Sequence, residues 1–160
     1  MFLLLFQGVL WSQEDVKIIK NKFRTDTEVG FKEAWKSIRA GDKFYREGKG
    51  TYDLARDHYL YAHQYNPDNA ALNYKIGVCY LYTDDKYEAI NYLHRAYELD
   101  PGVSGDIHFL LGEAFHLVLE FDNAIEQYNA HKEQLEEEEL LEYTDLLTKR
   151  LTECQHGRTL

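Results

Sequence analysis

The sequence predicts an all-α fold, a short solenoid of helix-turn-helix repeats with a C-terminal capping helix, on three observations. Chain breakers are scarce, with two prolines and ten glycines in 160 residues, too few for the turn density of a small all-β fold. Apolar residues recur at helical spacing along most of the chain. A pattern of small and large residues returns at intervals of 36 and 35 residues, marked by Gly41, Gly77 and Gly112, and a fixed period of this size is the signature of stacked repeats. The bulk composition, 44% apolar and 29% charged, is that of one globular domain and excludes disorder or a multi-span membrane protein. A formal charge of −10 argues against nucleic acid, whose phosphates require a basic face.

Residues 1–13 carry no charge, and Phe2 to Trp11 is apolar except for Gln7 and Gly8. Such a stretch is too short to cross a bilayer core as a helix but suits the apolar region of a secretory signal, with cleavage expected after Ser12. It lacks the basic residues that usually precede such a region. The alternative is that Phe2 to Leu10 forms a buried first helix. Residues 14–30 follow as an N-terminal helix or linker, in which Val16, Ile19 and Phe23 are candidates to cover the first repeat.

Phe31, Trp35, Ile38 and Tyr45 share one helical face, closed by a Gly-rich turn from Glu47 to Thr51. A second helix starts near Tyr52, with Leu54, Ala55, Tyr59 and Ala62 as its apolar face. It stops at Asn66 and Pro67, since proline disfavours helix in the residue before it. Asp68 is the expected cap of the next helix. The cycle returns through Leu72, Ile76 and Tyr80, a turn at Thr83 to Asp85, then Ala89, Leu93 and Ala96, and a stop at Asp100 and Pro101. It starts a third time at Ile107. The acids Glu136 to Glu139 sit where a helix N-terminus stabilises negative charge. Leu140, Leu147, Leu151 and Cys154 then mark an amphipathic capping helix over 136–155, followed by a tail, 156–160. A terminal cap is expected because the last repeat of a solenoid otherwise exposes an apolar flank.

Aligned on the glycines, the repeats span about 34–69, 70–103 and 105–135, within 31–135. An aromatic residue stands three places after each glycine (Phe44, Tyr80, Phe115). Ala89 and Ala124 lie twelve residues after Gly77 and Gly112, whereas Ala55 lies fourteen after Gly41, the two extra residues belonging to the turn at Lys49 and Gly50. A large residue follows each alanine by four (Tyr59, Leu93, Tyr128). Seven beyond the alanine come Ala62 and Ala96, but His131 in the third copy, and Pro67 and Pro101 each follow five later. The physical reason is close helix crossing: where two antiparallel helices approach, only Gly or Ala fits, and a large residue one turn away fills the space beside the contact.

At these residues the chain resembles the tetratricopeptide repeat family, a helix-turn-helix unit that stacks into a right-handed superhelix. The second copy matches best, through Gly77, Tyr80, Ala89, Leu93, Ala96 and Pro101. The resemblance implies that the first helix of each pair lines a concave groove. The residues it turns inward are Ile38, Asp42, Tyr45 and Arg46, then Tyr74, Val78, Leu81 and Tyr82, then Phe109, Glu113, His116 and Leu117. That surface is aromatic and apolar at its centre, fit to hold an extended segment or a helix of a protein partner. Tyr74, Tyr82 and Phe109 are expected to be replaceable there without loss of helix; the alternative is that Tyr74 and Tyr82 pack only against their neighbours. A basic clamp for a terminal carboxylate is not expected, because Arg46 alone qualifies.

Catalytic chemistry has no constellation to support it. Seven histidines, at 58, 63, 94, 108, 116, 131 and 156, include no pair four apart on one helix, so no metal site is expected. Gly48, Lys49, Gly50 and Thr51 suggest a phosphate loop, but Lys43 occupies the place of its first glycine and no strand precedes it. The carboxylates fall on solvent faces, and no serine or cysteine sits in a nucleophile motif. No cofactor is expected, nor a disulfide between Cys79 and Cys154, since Cys79 lies within a helical apolar pattern.

A narrower resemblance rests on Lys75 to Asp85, on Asp106, Ile107 and His108, and on Glu120 to Ile125. These stretches are similar to the N-terminal repeat module of Bacteroidetes-type envelope proteins of the outer-membrane-protein-A and β-propeller kind, a group that includes a type IX secretion system subunit. Lys149 to Cys154 is similar to the segment leading into that propeller. The resemblance implies an exported, periplasmic scaffold associated with the outer membrane, and that this is the front part of a longer protein. Alternatives are a spacer that only positions later domains, and a glycan-binding outer-membrane helical protein, which would normally carry a lipidated cysteine after the leader; none is near Gln13.

Overall fold

The computed structural model describes residues 16–83 and 85–159. The expected leader, 1–13, lies outside the described residues. Within them, all regular structure is helical: α1 (Lys20–Phe23), α2 (Phe31–Glu47), α3 (Tyr52–His63), α4 (Ala70–Leu81), α5 (Lys86–Leu99), α6 (Ile107–Leu117), α7 (Phe121–Gln134) and α8 (Glu137–Gly157), with a 3₁₀ turn at Lys49–Thr51. Each helix from α2 onward packs on the next, and α4 also touches α6. This is the signature of a one-dimensional stack of helix pairs.

Local chemistry sets the boundaries. Gly30 and Gly48 adopt φ of 86° and 101°, the left-handed region open to glycine, at the two ends of α2. The long first turn is closed by Thr51, whose hydroxyl donates to the carbonyls of Phe44 (2.7 Å) and Gly48 (3.0 Å). Asn69, rather than Asp68, caps α4, its side-chain oxygen accepting from the Leu72 amide at 2.9 Å. Asp85 does the same for Glu88 at the start of α5. Glu136 and Glu139 form a reciprocal capping box at the start of α8, consistent with the acidic run placed there. Between α6 and α7 the chain turns through Leu119, a non-glycine residue at φ 64° with a 70% exposed side chain, a conformation that costs an L-residue about 1 kcal/mol.

The core follows the repeat. Ala55, Ala62, Ala89, Ala96 and Ala124 are fully buried, as are Tyr59, Leu93 and Tyr128. A methyl group built on Gly41 would lie 2.7 Å from the Tyr59 ring, on Gly77 2.7 Å from Leu93 Cγ, and on Gly112 2.6 Å from the Tyr128 ring. Each motif glycine thus receives the large residue of its partner helix. Pro67 and Pro101 sit exposed in the turns after α3 and α5. In the third copy His131 is buried with its ring 5.6 Å from Phe109 and 6.3 Å from Tyr143 of α8.

Two side-chain placements differ from expectation. Leu54 is 44% exposed, and Tyr52, 3% exposed, takes the core position, because 52, 55, 59 and 62 share the helical face that excludes 54. At the N-terminus Val16, Ile18 and Phe23 are buried while Ile19 is 51% exposed. The chain is extended ahead of α1, so alternate residues, not helical neighbours, share a side. Asn66 and Asn69 hold this strap by donating to the carbonyls of Phe23 (2.8 Å) and Lys22 (3.4 Å). Cys79 and Cys154 are both buried free thiols.

Gly77→Ala tests the crossing directly, since the added methyl meets the backbone nitrogen of Leu93 at 3.0 Å as well as its side chain. The helices must separate, and despite alanine's higher helix propensity a net loss of about 1–2 kcal/mol is expected in urea unfolding.

Candidate functional site

The first helices of the pairs, α2, α4 and α6, together with α8, carry a set of acid, phenol and cation groups. Asp42, next to Gly41, accepts from the Tyr59 hydroxyl (2.7 Å) and from Lys75 Nζ of α4 (2.7 Å). Lys75 is 4% exposed, and its ammonium lies 4.9 Å from the Tyr45 ring centroid and 5.8 Å from that of Tyr59. Glu113, next to Gly112, accepts from the Tyr128 hydroxyl (2.6 Å) and from Arg150 of α8 through Nε (2.6 Å) and Nη2 (3.0 Å). The middle repeat has Val78 and Leu93 at the equivalent places, both fully buried. Acid and tyrosine therefore occur together or are both replaced by apolar residues. A buried phenol needs an acceptor and a half-buried carboxylate needs donors, so removing one alone leaves the other unsatisfied.

Burial, followed by the charge of Asp42, pushes the Tyr59 hydroxyl far above the usual phenol range, and burial followed by Glu113 does so for Tyr128. Both stay protonated donors. A third acid, Asp106, accepts from Tyr74 (2.8 and 3.1 Å) and Ser104 (2.5 Å). Burial raises the Cys79 thiol to about 12, so it is a packing group and not a nucleophile.

An aromatic run leads from this network to the surface. Tyr45 stacks on Tyr52 at 5.0 Å, Tyr52 lies 5.8 Å from Tyr82, and Lys49 Nζ stands 3.7 Å over the Tyr82 ring. The Tyr45 hydroxyl is buried and has no hydrogen-bond partner among the described residues.

The twelve expected groove residues fall into three groups. Arg46, Tyr82 and Leu117 are exposed; Asp42, Tyr45, Glu113 and His116 are half-buried; Ile38, Tyr74, Val78, Leu81 and Phe109 are buried. The expectation that Tyr74 and Phe109 are freely replaceable is corrected by this burial, since Tyr74 is fully enclosed and bonded to Asp106, and Phe109 packs 5.6 Å from Tyr128. Lys75, Lys49, Asp106 and Arg150 escaped the sequence reading. A signal for the first and last existed in the pairing of Asp42 with Tyr59 and Glu113 with Tyr128, which calls for a cation on the next helix.

No group of three His, Cys, Asp or Glu among the described residues is placed to hold a metal. No helix among them is long and apolar enough to cross a membrane.

No protein-family model matches the chain, and no curated protein matches it. Solved structures do. The chain is similar to the TPR2B domain of yeast Sti1, in a structure of its complex with pHsp70, with a TM-score of 0.63 and 16% identity, covering 78% of this chain and 98% of that one. It is also similar to the TPR2AB domain of yeast Sti1 in complex with pHSP90, with a TM-score of 0.62 and 15% identity, covering 85% of this chain and 50% of that one. The class is thereby defined at the level of architecture: an all-α solenoid with the fold of tetratricopeptide-repeat domains.

Burial holds His131 and His63 below the ordinary histidine value of 6.5. The unfolded chain then binds protons that the folded chain does not, so stability is complete above that value and declines as the pH drops below it. The urea midpoint is expected to be lower at about pH 5.5 than at about pH 8, and His131→Ala, which restores the residue found in the first two repeats, to flatten part of that slope.

Proposed function

We propose that this chain is a non-catalytic protein-interaction scaffold that holds a segment of a partner protein on the face formed by α2, α4 and α6. The observation that carries this reading is the shared fold with two Sti1 domains whose structures are complexes with pHsp70 and pHSP90. The contact surface on this chain is the rim made by Arg46, Lys49 and Tyr82, with Leu117 beyond it. Arg46 makes no ion pair among the described residues, whereas Lys75 is held by Asp42 and Arg150 by Glu113 and Glu153. A partner segment with an acidic residue beside an apolar one suits that rim, and a terminal-carboxylate clamp does not, because the deeper cations are already neutralised.

The rim is tested with Arg46→Glu combined with Tyr82→Ala, using photocrosslinking from position 117 in the native host cell. Loss of about tenfold or more in the crosslinked partner, with an unfolding midpoint unchanged within about 0.5 kcal/mol, is the expected result. Undiminished crosslinking favours the second reading, a spacer that positions other domains, which is supported by the burial of Ile38, Tyr74, Val78, Leu81 and Phe109.

The cellular setting belongs to the same proposal: an exported protein of the bacterial envelope, on the periplasmic side of the outer membrane. Its support is the uncharged apolar stretch at 1–13 and the likeness of its repeats to envelope modules. Fusing the chain to a reporter active only after export, with and without residues 1–13, is expected to give activity in the first case alone. Equal activity in both, or activity in neither, would remove the export reading.

A further inference from the structure

The third repeat departs from the motif of the other two at a buried place. Seven residues beyond the motif alanine, where they bury Ala62 and Ala96, it buries His131 at 3% exposure. The exchange replaces a methyl with a ring that titrates near neutral pH. Among the described residues its neighbours come from three parts of the chain. From α6 come Phe109, 5.6 Å away between centroids, and His108. The Gly105 backbone lies in the turn before α6. From α8 come Tyr143, at 6.3 Å, and the Glu139 carboxylate, with Glu142 and Asp106 near Tyr143. Lys132, beside His131 on α7, is exposed. Burial keeps the ring neutral, while Gly105 and Glu139 favour its charged form and His108 opposes it.

The elements around the ring differ in how firmly they are held. On α6 and α7, Phe109 is 4% exposed and Ala124 and Tyr128 are fully buried. From Leu147 onward α8 is equally fixed: Leu147 and Cys154 join that cluster, Arg150 binds Glu113, and Gly157 lies against the Phe121 ring. Across 137–146 no residue is buried, and Leu140, Tyr143 and Leu146 are half-buried. This stretch begins at the capping box, in which Glu139 accepts from the Glu136 amide at 3.2 Å. The Glu139 carboxylate therefore serves the start of the helix and faces His131 at once. A segment with so little buried surface is the one that opens first.

We propose that residues 137–146 of α8 form a proton-operated latch on the third repeat, closed against a neutral His131 and released when His131 takes up a proton. The proton comes from solvent and makes both ring nitrogens donors. A charge at that place requires water or a carboxylate. Moving Tyr143 aside supplies both: water enters, and Glu139 leaves the Glu136 amide for the imidazolium, which removes the helix cap. Residues 147–157 stay docked, so the release is local. The latch is closed above the ordinary histidine value of 6.5 and opens as the pH falls below it, because the open form binds the proton that the closed form excludes.

Hydrogen exchange of the whole chain, followed by mass spectrometry between about pH 5 and 8 and corrected for the intrinsic pH dependence of exchange, reads the latch. Protection across 137–146 is expected to fall by up to about tenfold per pH unit below the ordinary histidine value, the slope of one proton, while 147–157 and α2 to α5 keep theirs. His131→Ala is expected to make protection of 137–146 independent of pH. Glu139→Gln, which keeps a capping acceptor but removes the countercharge, is expected to shift the opening to lower pH. His63→Ala is expected to leave it unchanged. In the unaltered chain the His131 ring, followed by NMR, is expected to titrate with the midpoint of the opening, a check that holds even where His131→Ala fails to fold. Constant protection across 137–146, simultaneous loss in every helix, a pH dependence that survives His131→Ala, or a ring midpoint different from that of the opening would overturn the proposal.

Discussion

Each pair of helices is held by a crossing at which a glycine of the first helix lies against a large side chain of the second. Gly41 faces Tyr59, Gly77 faces Leu93 and Gly112 faces Tyr128, in every case with less room than one added methyl would need. That approach sets the other dimensions. It buries Ala55, Ala89 and Ala124 completely, because a helix drawn so near its partner tolerates only a methyl at the adjoining position. It also brings the tyrosine hydroxyls of the first and third repeats to the residue after the glycine, so Asp42 and Glu113 follow from the packing as the acceptors those phenols require.

The same acids govern the face on which a partner is proposed to lie. An unaccompanied Asp42 or Glu113 would leave that surface negative, but Lys75 and Arg150 arrive from the next helix and neutralise them at 2.7 and 2.6 Å. Charge is thereby consumed inside the scaffold, and what faces outward is a cation-aromatic edge at Lys49 and Tyr82. Such pairing contributes to uniqueness of register as well as to stability, since a helix shifted by one turn would leave a half-buried acid without its donors. The central repeat, with Val78 and Leu93, carries no such charge and behaves as plain core.

Much of this could be read in advance because close packing constrains residue type strongly and at fixed distances. The helix pairs, the glycine, alanine and large-residue positions, and the capping helix with its acidic start all express one steric rule repeated three times. What could not be read depends on which side of a short segment is covered. Val16 and Ile18 point inward because the strap is extended where a helix was expected. Leu54 is exposed because α3 turns it away from the shared face. Tyr74 and Phe109 sit at inward positions of the repeat, yet their enclosure depends on neighbours such as Asp106 and Tyr128 that lie about 20 to 30 residues further along the chain.

The two ends of the stack have been treated differently, and the difference is physical. At the C-terminal end α8 covers the third repeat: its own Leu147 and Cys154 are buried in a cluster with Phe109, Ala124 and Tyr128, Arg150 locks onto Glu113, and Gly157 allows the Phe121 ring to approach so closely that a methyl would lie 2.4 Å away. At the other end the described strap closes the corner formed by Phe23, Phe31, Trp35 and Tyr65. Asn66 and Asn69 fasten that strap through hydrogen bonds to the Phe23 and Lys22 carbonyls, so one end of the stack is held by side-chain bonds to a short segment and the other by the packing of a 21-residue helix.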